Sequence, residues 1–443
     1  MARVAAILVS AFAIVCAGAS AQAAPAKPCT VPTTLPAPPS ERPRETLRIR
    51  VMPGLLSANG RLTVSFAPAV ATDRLVFRLW PNSPYYVARG ARLTVRAVTA
   101  DGHTASVARP DATTLVVRRA LRAHEGTTVS MDWALRLPKT RGLQLHGGRA
   151  ARLVSFFPEL AWNGRGWATE PPVPTNSFWP TSPAADFDAR ITVPAGVRVL
   201  ATGEEDGKGR WRASGVRDFG LAVAPFRIGT TKIAAPRPIR VTVGVERGSA
   251  ASLQDFLDYA SRSLRFYART YGDYPWSTYS LAVMADPEGL FGTAYPTIGF
   301  FGDQSLVLVP HETAHQWFYS LVGNDQSRDP WISEGLATWA QTGPESSLAS
   351  MLATRVPARV RNRIGEPMAF WSRYDFETLR AGLYVQTAQA LASLGGAGTV
   401  NCALRAFVVR NAYRTAVPRD LLASLERFVP DAERKLRNRG ARF

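Results

Sequence analysis

Two histidines four residues apart are the most informative feature of this sequence. Residues 311–315 read His-Glu-Thr-Ala-His. Side chains at positions i and i+4 of a helix lie on one face, so His311 and His315 can bind the same tetrahedral Zn²⁺ ion. Glu312 is rotated off that face and lies beside a water at the metal, from which it can take a proton. The motif therefore predicts a catalytic zinc site with Glu312 as general base.

A hydrolytic zinc site needs a third protein ligand and one open position. Eighteen residues separate His315 from Glu334, which lies in the string Asp-Pro-Trp-Ile-Ser-Glu-Gly-Leu-Ala-Thr-Trp over 329–339. Pro330 suits the first turn of a second helix. A carboxylate among so many large apolar side chains needs a cationic partner. We therefore expect one zinc ion, bound by His311, His315 and Glu334.

The two motifs at this separation resemble those of a known family. His-Glu-Thr-Ala-His-Gln-Trp-Phe, the 18-residue gap and Asp-Pro-Trp-Ile-Ser-Glu-Gly-Leu-Ala-Thr are similar to the zinc metallopeptidases of the aminopeptidase N and leukotriene-hydrolase family, which are gluzincins. The resemblance is sharpest over about 291–342 and extends loosely over 47–443. It implies a peptide-hydrolysing enzyme with an N-terminal β "saddle" and a thermolysin-like catalytic domain. Only about 100 residues follow Glu334, so the family's large C-terminal helical domain is not expected.

The resemblance also implies a catalytic tyrosine, in a Tyr-x-Lys-Gly context some way after the glutamate ligand. At a similar point, Gly-Leu-Tyr-Val-Gln-Thr-Ala over 382–388 is predicted to open a helix. Tyr384 is therefore expected to donate a hydrogen bond to the tetrahedral oxyanion. Gln386 and Thr387 replace the lysine and glycine of the pattern, and Tyr374 is the nearest alternative.

The helix that carries Glu334 offers two further polar side chains. Thr338 and Gln341 lie at positions i+4 and i+7 from Glu334 and face the same way. We expect them to orient a metal ligand through hydrogen bonds, although relatives often have an acid at the position of Gln341.

One segment departs from the family pattern. Relatives carry Gly-x-Met-Glu-Asn or Gly-Gly-Met-Glu-Tyr-Pro on an edge strand that binds substrate, and the glutamate binds the free α-amine. The matching stretch over 291–297 reads Phe-Gly-Thr-Ala-Tyr-Pro-Thr. By resemblance, Gly292, Thr293 and Ala294 form the substrate-binding strand, with Ala294 in the place of the glutamate. Two alternatives stay open: another acid such as Glu288 binds the amine, or a free N-terminus is not required.

Three functions are compatible with this zinc site. The first is an aminopeptidase-like or endopeptidase-like metallopeptidase that hydrolyses peptide bonds. The second is a non-peptidase zinc hydrolase that cleaves epoxides or amides, since the family resemblance includes an epoxide-opening branch. The third is a cell-surface binding protein with a structural zinc, which the presence of Glu312 disfavours because a structural site has no use for a base.

Domain organisation follows from the pattern of the remaining residues. Residues 1–23 have the short basic start, apolar stretch and Ala-Gln-Ala ending of a signal peptide, and 24–46 are a proline-rich linker. Alternating apolar and polar segments with turn signals predict a mostly antiparallel β domain over 47–247. From Ser249 the apolar residues recur at helical spacing, so 248–443 is expected to be the catalytic domain, with C-terminal helices. The fold class is therefore α+β.

The signal peptide predicts a secreted or envelope-associated protein with no transmembrane segment after cleavage. Two cysteines then remain, Cys29 and Cys402. An oxidising compartment permits a disulfide between them, and a buried thiol at Cys402 with an unpaired Cys29 is the equal alternative.

Composition limits the other function classes. With 46% hydrophobic and 10% aromatic residues the chain can bury a large core, which excludes general disorder. A mean hydropathy of -0.07 excludes a multi-span membrane protein. No nucleic-acid motif accompanies the net charge of +19, so the expected partners are a peptide substrate and, through non-specific attraction, an anionic cell surface.

Overall fold

The computed structural model of the protein describes residues 29–140, 144–175, 182–285 and 291–443. The predicted signal peptide lies outside these residues. Strands dominate the first part of the described chain and helices the second. This order confirms the predicted α+β class, with a β-rich domain ahead of a mainly helical catalytic domain.

The β-rich part is built from short strands that are joined by turns. In chain order they are β1 (Arg44–Val51), β2 (Ser57–Phe66), β3 (Thr72–Arg78), β4 (Arg92–Ala100), β5 (His103–Thr104), β6 (Val107–Asp111), β7 (Thr114–Leu121), β8 (Thr127–Arg136), β9 (Ala151–Leu153), β10 (Glu159–Leu160), β11 (Ala185–Thr192), β12 (Arg198–Ala201), β13 (Glu204–Glu205), β14 (Arg210–Val216) and β15 (Leu221–Ala224).

These strands form sheets of eight, four and three strands within the described residues. Their orders are β13-β14-β11-β1-β2-β8-β4-β5, β10-β3-β7-β6 and β12-β15-β9. Most neighbours are antiparallel, but β1 and β11 are parallel. Side chains alternate between buried and exposed along β1, because successive residues of a strand point to opposite faces. Leu47 and Leu62 are direct cross-strand neighbours in the core of this part.

A separate five-stranded sheet supports the predicted catalytic region. It consists of β16 (Phe226–Ala234), β17 (Pro238–Glu246), β18 (Thr278–Met284), β19 (Gly292–Tyr295) and β20 (Ile298–Gly302), in the order β16-β17-β18-β20-β19. The strands β17, β18 and β20 are parallel, and β19 is an antiparallel edge strand. The predicted boundary between residues 247 and 248 divides this sheet, because the alternation of β16 and β17 does not reveal which sheet they join.

The remaining elements are helices and one small strand pair. They are α1 (Pro84–Val87), α2 (Leu253–Tyr271), α3 (Val309–Ala314), α4 (Glu334–Glu345), α5 (Leu348–Ala353), α6 (Met368–Trp371), α7 (Phe376–Leu379), a π-helix (Arg380–Val385), α8 (Gln386–Ala392), α9 (Ala397–Asn411), α10 (Pro418–Leu425), α11 (Ala432–Arg437), and the parallel pair β21 (Gly323–Asn324) and β22 (Thr415–Ala416), with 3₁₀ turns at Trp80–Asn82, Leu306–Leu308, Pro330–Ile332 and Ala358–Val360.

Helix α2 begins where the sequence changes period. The Ser252 side chain accepts a hydrogen bond of 3.2 Å from the backbone N–H of Asp255, which satisfies one of the unpaired donors of the first turn. Its apolar face, including Phe256, Leu264 and Tyr267, is fully buried. Tyr267 donates from its hydroxyl to the carbonyl of Pro310 over 2.9 Å, so α2 fixes the start of α3.

The proline-rich segment packs against the body of the protein instead of acting as a free spacer. Its described residues, 29–43, contain no helix or strand, and β1 begins at Arg44, inside the predicted linker. A disulfide joins Cys29 to Cys402 on α9, with Cα atoms 5.4 Å apart. The backbone N–H of Asp273 donates to the carbonyl of Thr33 over 2.8 Å. The cysteine pairing that the sequence left open is therefore present in this structure.

Within the described ranges, no single helix is both long and apolar enough to cross a bilayer. Two consecutive helical segments, Phe376–Ala392 and Ala397–Asn411, are together long and apolar enough by length and composition alone. They meet at an angle of 112°.

Candidate active site

The two motif histidines lie at the end of a helix that is only one to two turns long. Helix α3 spans six residues with a proline in its first turn, and His315 is its C-terminal cap. The Nε2 atoms of His311 and His315 are 3.2 Å apart, which confirms that the i, i+4 spacing brings the imidazoles together. Thr313, between them, forms a hydrogen bond of 3.1 Å with the hydroxyl of Tyr279 on β18, which ties the helix to the sheet.

Glu334 is delivered to the same point by the start of α4. Its Oε2 lies 3.4 Å from Nε2 of both His311 and His315. Pro330 forms a 3₁₀ turn before α4 instead of the first turn of the helix itself. All three ligand side chains are buried, with exposures between 5 and 8%. Two imidazole nitrogens and a carboxylate oxygen within 4.8 Å of one another match the donor set and the size of a single zinc site.

The charges within this group are complementary. Burial favours the neutral form of Glu334, but the two imidazoles outweigh it and hold the pKa of Glu334 well below its usual range. Burial opposes protonation of His315, but Glu334 outweighs it and raises the pKa of His315 to about 9. A buried carboxylate needs such cationic partners, and a divalent cation supplies the same compensation.

Hydrogen bonds behind the histidines set the direction of their free nitrogens. Nδ1 of His311 lies 2.7 Å from Oε1 of Gln341, and Nδ1 of His315 lies 3.0 Å from the carbonyl oxygen of Phe318. Both partners are acceptors, so each Nδ1 carries a proton, and each Nε2, once deprotonated, would offer its lone pair to a metal ion. Gln341 therefore contacts a metal ligand as the helix spacing suggested. Thr338 instead donates to the backbone carbonyl of Glu334 over 2.7 Å.

Glu312 is buried next to the metal-binding group and against the edge strand β19. Its exposure is 6%, and burial raises its pKa, with partial compensation by His311 and His315. A Cβ atom at Gly292 would lie only 2.6 Å from Oε1 of Glu312. Only glycine at this position leaves space for the carboxylate.

Strand β19 lies beside the metal-binding group, as the resemblance implied. Gly292, Thr293 and Ala294 line the same cavity as His311 and Glu312. The side chain of Gln316 fixes the strand to the metal-binding helix: it donates to the carbonyl of Tyr295 over 3.0 Å and accepts from the N–H of Thr297 over 2.8 Å. Glu288, the acid considered as a replacement for the missing glutamate, lies outside the described residues.

Tyr384 reaches the same group from the π-helix. Its ring stacks on His311, with centroids 5.8 Å and planes 21° apart. Burial and the carboxylates of Glu334 and Glu312 raise the pKa of Tyr384, so its hydroxyl keeps its proton. Tyr374 also lines the cavity but packs on Phe370 at 5.4 Å. π-Helical turns often occur at functional sites.

The helical segment that carries Tyr384 begins earlier than the sequence suggested. Asp375 caps α7 by accepting from the N–H of Thr378 over 2.8 Å, and the helical path continues through the π-helix into α8. Gln386 and Thr387, which replace the lysine and glycine of the family pattern, both stabilise the packing of this segment. Gln386 donates to the carbonyl of Gly382 over 2.8 Å, and Thr387 packs where Gly335 of α4 leaves space, since a Cβ at Gly335 would lie 2.2 Å from the Thr387 side chain.

The metal-binding group opens into a cavity of about 1060 Å³. Its lining comes from both parts of the chain. The helical part contributes the site residues described above. The β-rich part contributes side chains that sequence analysis did not single out, among them Gln144, Ser155, Glu159 and Asp218. Nothing local in the sequence marks these residues, because only long-range packing brings them to the cavity.

Comparison with solved structures identifies the fold of this chain. The chain is similar over 93% of its length to the M1 zinc metallopeptidase from Deinococcus radiodurans, covering 96% of that structure with 20% identity and a TM-score of 0.66. A point mutant of that protein bound to a Tyr-Ser-Ala substrate matches equally well, over 93% of this chain and 98% of that one, at 20% identity and a TM-score of 0.66. The chain has the two-domain fold of an M1 zinc metallopeptidase. The predicted resemblance to gluzincin peptidases is thereby confirmed, and the fold and the buried His-His-Glu group together support one zinc ion.

Sequence relatives are aminopeptidases that match over short stretches. Aminopeptidase RNPEPL1 of Homo sapiens is 36% identical over 80 residues, which is 16% of this chain and 11% of that protein. Aminopeptidase M1-C of Oryza sativa subsp. japonica is 31% identical over 117 residues, 23% of this chain and 13% of that protein. The chain therefore aligns with little more than a tenth of the length of these curated relatives. No family model matches the chain.

Proposed function

We propose that the chain is an exported, single-zinc metallopeptidase that hydrolyses peptide bonds. The observation that carries the proposal is the arrangement around the ligand group: His311, His315 and Glu334 converge, while Glu312 and Tyr384 lie beside them in one cavity. Structural zinc sites are closed by four protein ligands. Three ligands next to a buried carboxyl and a tyrosine hydroxyl fit a hydrolytic site.

Each of these residues has a task in peptide hydrolysis. Zinc, when bound, polarises the scissile carbonyl and lowers the pKa of the attacking water. Glu312 takes the proton from that water and passes it to the nitrogen of the leaving amine; its raised pKa suits a group that must hold a proton between the two steps. The Tyr384 hydroxyl donates a hydrogen bond to the oxyanion of the tetrahedral intermediate.

The edge strand provides the means of binding a peptide. Strand β19 ends the five-stranded sheet, and an extended substrate can add to such an edge through main-chain hydrogen bonds. A peptide substrate is supported by the neighbouring structure in complex with Tyr-Ser-Ala and by the aminopeptidase relatives. Because Ala294 replaces the family's amine-binding glutamate, any preference for a free N-terminus must come from other residues.

Export is part of the proposal. It rests on the signal-peptide pattern over 1–23 and on the Cys29–Cys402 disulfide, since disulfides persist mainly in oxidising compartments.

The test of the proposed reaction is Glu312→Gln in the full chain, assayed with fluorogenic peptides. We expect kcat to fall by about 10²- to 10⁴-fold, the usual contribution of a general base, while the zinc content stays at one ion per chain. Glu377→Gln is the matched control, because Glu377 lines the same cavity but is 74% exposed and paired with Arg380. Unchanged hydrolysis in Glu312→Gln would contradict the proposed mechanism.

A further inference from the structure

Two buried carboxyl groups on the wall of the catalytic cavity have no part in the hydrolytic mechanism. Glu159 on β10 is 6% exposed and Asp218 is 3% exposed, and both line the cavity that contains the metal-binding group. They lie 59 residues apart, yet Ser155 links them to the substrate strand. The Ser155 hydroxyl donates to Oδ2 of Asp218 over 3.1 Å and lies 3.1 Å from the hydroxyl of Tyr295, at the end of β19.

The hydrogen bonds of these carboxyls leave one oxygen free. Asp218 also accepts from the backbone N–H of Phe219 over 2.6 Å. Oε2 of Glu159 accepts from Nε1 of Trp80 over 3.0 Å. Oε1 of Glu159 is buried and has no hydrogen-bond partner. A buried acceptor without a donor is costly, so this oxygen favours a ligand that can donate.

No ion pair within the described chain closes this carboxyl pair. Arg78 is the cross-strand neighbour of Glu159 and attracts it at longer range, but its guanidinium donates to the hydroxyl of Thr113 and the carbonyl of Glu170. In the described ranges, no ion pair connects Glu159 or Asp218 to a lysine, arginine or histidine. Arg217, the adjacent residue in the chain, turns its guanidinium to the carbonyls of Ser182 and Leu321. Burial and the nearby Asp218 raise the pKa of Glu159, and burial raises the pKa of Asp218 to about 7. Burial is the main cause of both shifts, and the attraction between Arg78 and Glu159 does not offset it.

The missing cation has the chemistry of an ammonium group. In the described part of the chain, only His311, His315 and Glu334 bring three ligand atoms within 4.8 Å, so the carboxyl pair is not built as a second metal site. A protonated amine carries one charge and three N–H donors. It can donate to the free Oε1 of Glu159 and share its charge with Asp218.

We propose that Glu159 and Asp218 form the subsite that binds a protonated amine of the peptide substrate, in place of the carboxylate missing at Ala294. This inference rests on the proposed function, because it assigns the substrate's amine to the same cavity. The amine has two sources, the α-ammonium of a free N-terminus and the side-chain ammonium of a lysine.

The test compares matched peptides on the zinc-loaded full chain. One pair differs in a free or acetylated N-terminus, and the second pair is acetylated and begins with lysine or norleucine. We expect the wild type to prefer the cationic member of one pair by at least about 30-fold in kcat/KM, the effect of losing one partner of a buried charge pair. The pair that shows the preference identifies the source of the amine.

Glu159→Gln and Asp218→Asn should each reduce that preference at least about tenfold, mainly by slowing the cationic peptide. The glutamine at position 159 keeps an acceptor for Trp80, and circular dichroism with zinc analysis verifies folding. Glu377→Gln, which removes an exposed acid of the same cavity, should retain the preference. The proposal is overturned if the wild type prefers neither cationic peptide, or if both folded variants keep the full preference.

Calorimetry separates this inference from the proposed function. Alaninamide carries a protonated amine and N-acetylalaninamide does not. Alaninamide should bind the zinc-loaded wild type more tightly than its acetylated form, and Glu159→Gln should remove the difference. If no peptide is cleaved, the proposed function fails, and this binding difference alone decides the subsite. N-acetyllysinamide and N-acetylnorleucinamide give the same comparison for a side-chain ammonium, and equal binding within both pairs would overturn the subsite.

Discussion

Oε1 of Gln341 lies 2.7 Å from Nδ1 of His311, although the two residues are 30 positions apart. The amide oxygen fixes the ring so that Nε2 faces His315 and Glu334. The amide nitrogen of Gln341 donates in turn to Glu345 over 3.4 Å, which defines the orientation of the amide. Helix α4 therefore supplies both a metal ligand and the group that positions another ligand.

This contact predicts a defect in zinc affinity when it is removed. In Gln341→Ala, the His311 ring loses its acceptor, and the zinc dissociation constant should rise by about 10- to 100-fold, as is usual for partners of metal ligands. Competition with a chromogenic chelator measures the constant. Gln341→Glu keeps an acceptor at the same reach and should retain tight binding. Equal affinity in the alanine variant and the wild type would refute a positioning role for Gln341.

The close approach of Gly292 to Glu312 predicts a loss of turnover without a loss of metal. A methyl group in Gly292→Ala would lie 2.6 Å from the Glu312 carboxylate and must displace it. We expect kcat to fall by about 10²-fold or more, because a general base must lie within hydrogen-bond distance of the proton that it takes. Zinc affinity should be unchanged. Gly126→Ala is the control, since a Cβ at Gly126 meets no atom within 4 Å. Full activity in Gly292→Ala would contradict the placement of Glu312.

Tyr384 and Tyr374 can be distinguished by removing one hydroxyl at a time. Tyr384→Phe keeps the stacking on His311 but loses the proposed donor to the oxyanion. Its kcat should fall by about 10²- to 10³-fold with little change in KM, as for other oxyanion donors. Tyr374→Phe should leave kcat near the wild-type value. The reverse result would assign the oxyanion to Tyr374.

Local sequence patterns were sufficient to predict the metal ligands and most of the helices and strands. The i, i+4 histidines need one helical turn to converge, and the Ser252 cap of α2 depends on residues three positions apart. The prediction of the third ligand, Glu334, required only that two helices close in sequence pack against each other. Strands such as β8, over Thr127–Arg136, were predicted because one face of each is buried.

The residues that were not predicted depend on long-range packing. Glu159 lies on a two-residue strand that has no periodicity to detect, and its place on the cavity wall depends on β3 and on Trp80, 79 residues earlier. The predicted domain boundary cut the five-stranded sheet for a related reason, because strand alternation reports burial and not sheet membership. The π-helix at Tyr384 inserts an extra residue per turn that hydrophobic spacing does not resolve.

Glu45 provides a test of buried charge that is independent of zinc. Its side chain on β1 is 4% exposed, and its Oε2 has no hydrogen-bond partner. Burial, with a smaller effect of Asp218, raises the pKa of Glu45 to about 8. Below the unfolded pKa of a glutamate, near 4.5, the group is protonated in both states and costs nothing. As the pH rises toward 8, the unfolded state releases its proton while the folded state retains it, so folding stability is lost.

The replacement Glu45→Gln removes this titration while it preserves the shape of the side chain. Urea unfolding at pH 5 and pH 8.5 measures the free energy of unfolding for both proteins. The wild type should lose roughly 2–4 kcal/mol more stability than the variant between the two pH values, from the size of the pKa difference. Any pH-independent cost of the amide cancels in this comparison. Glu205→Gln, at an exposed position on β13, should follow the wild type. A parallel pH dependence of Glu45→Gln and the wild type would mean that Glu45 is ionised in the folded protein and has a cationic partner there.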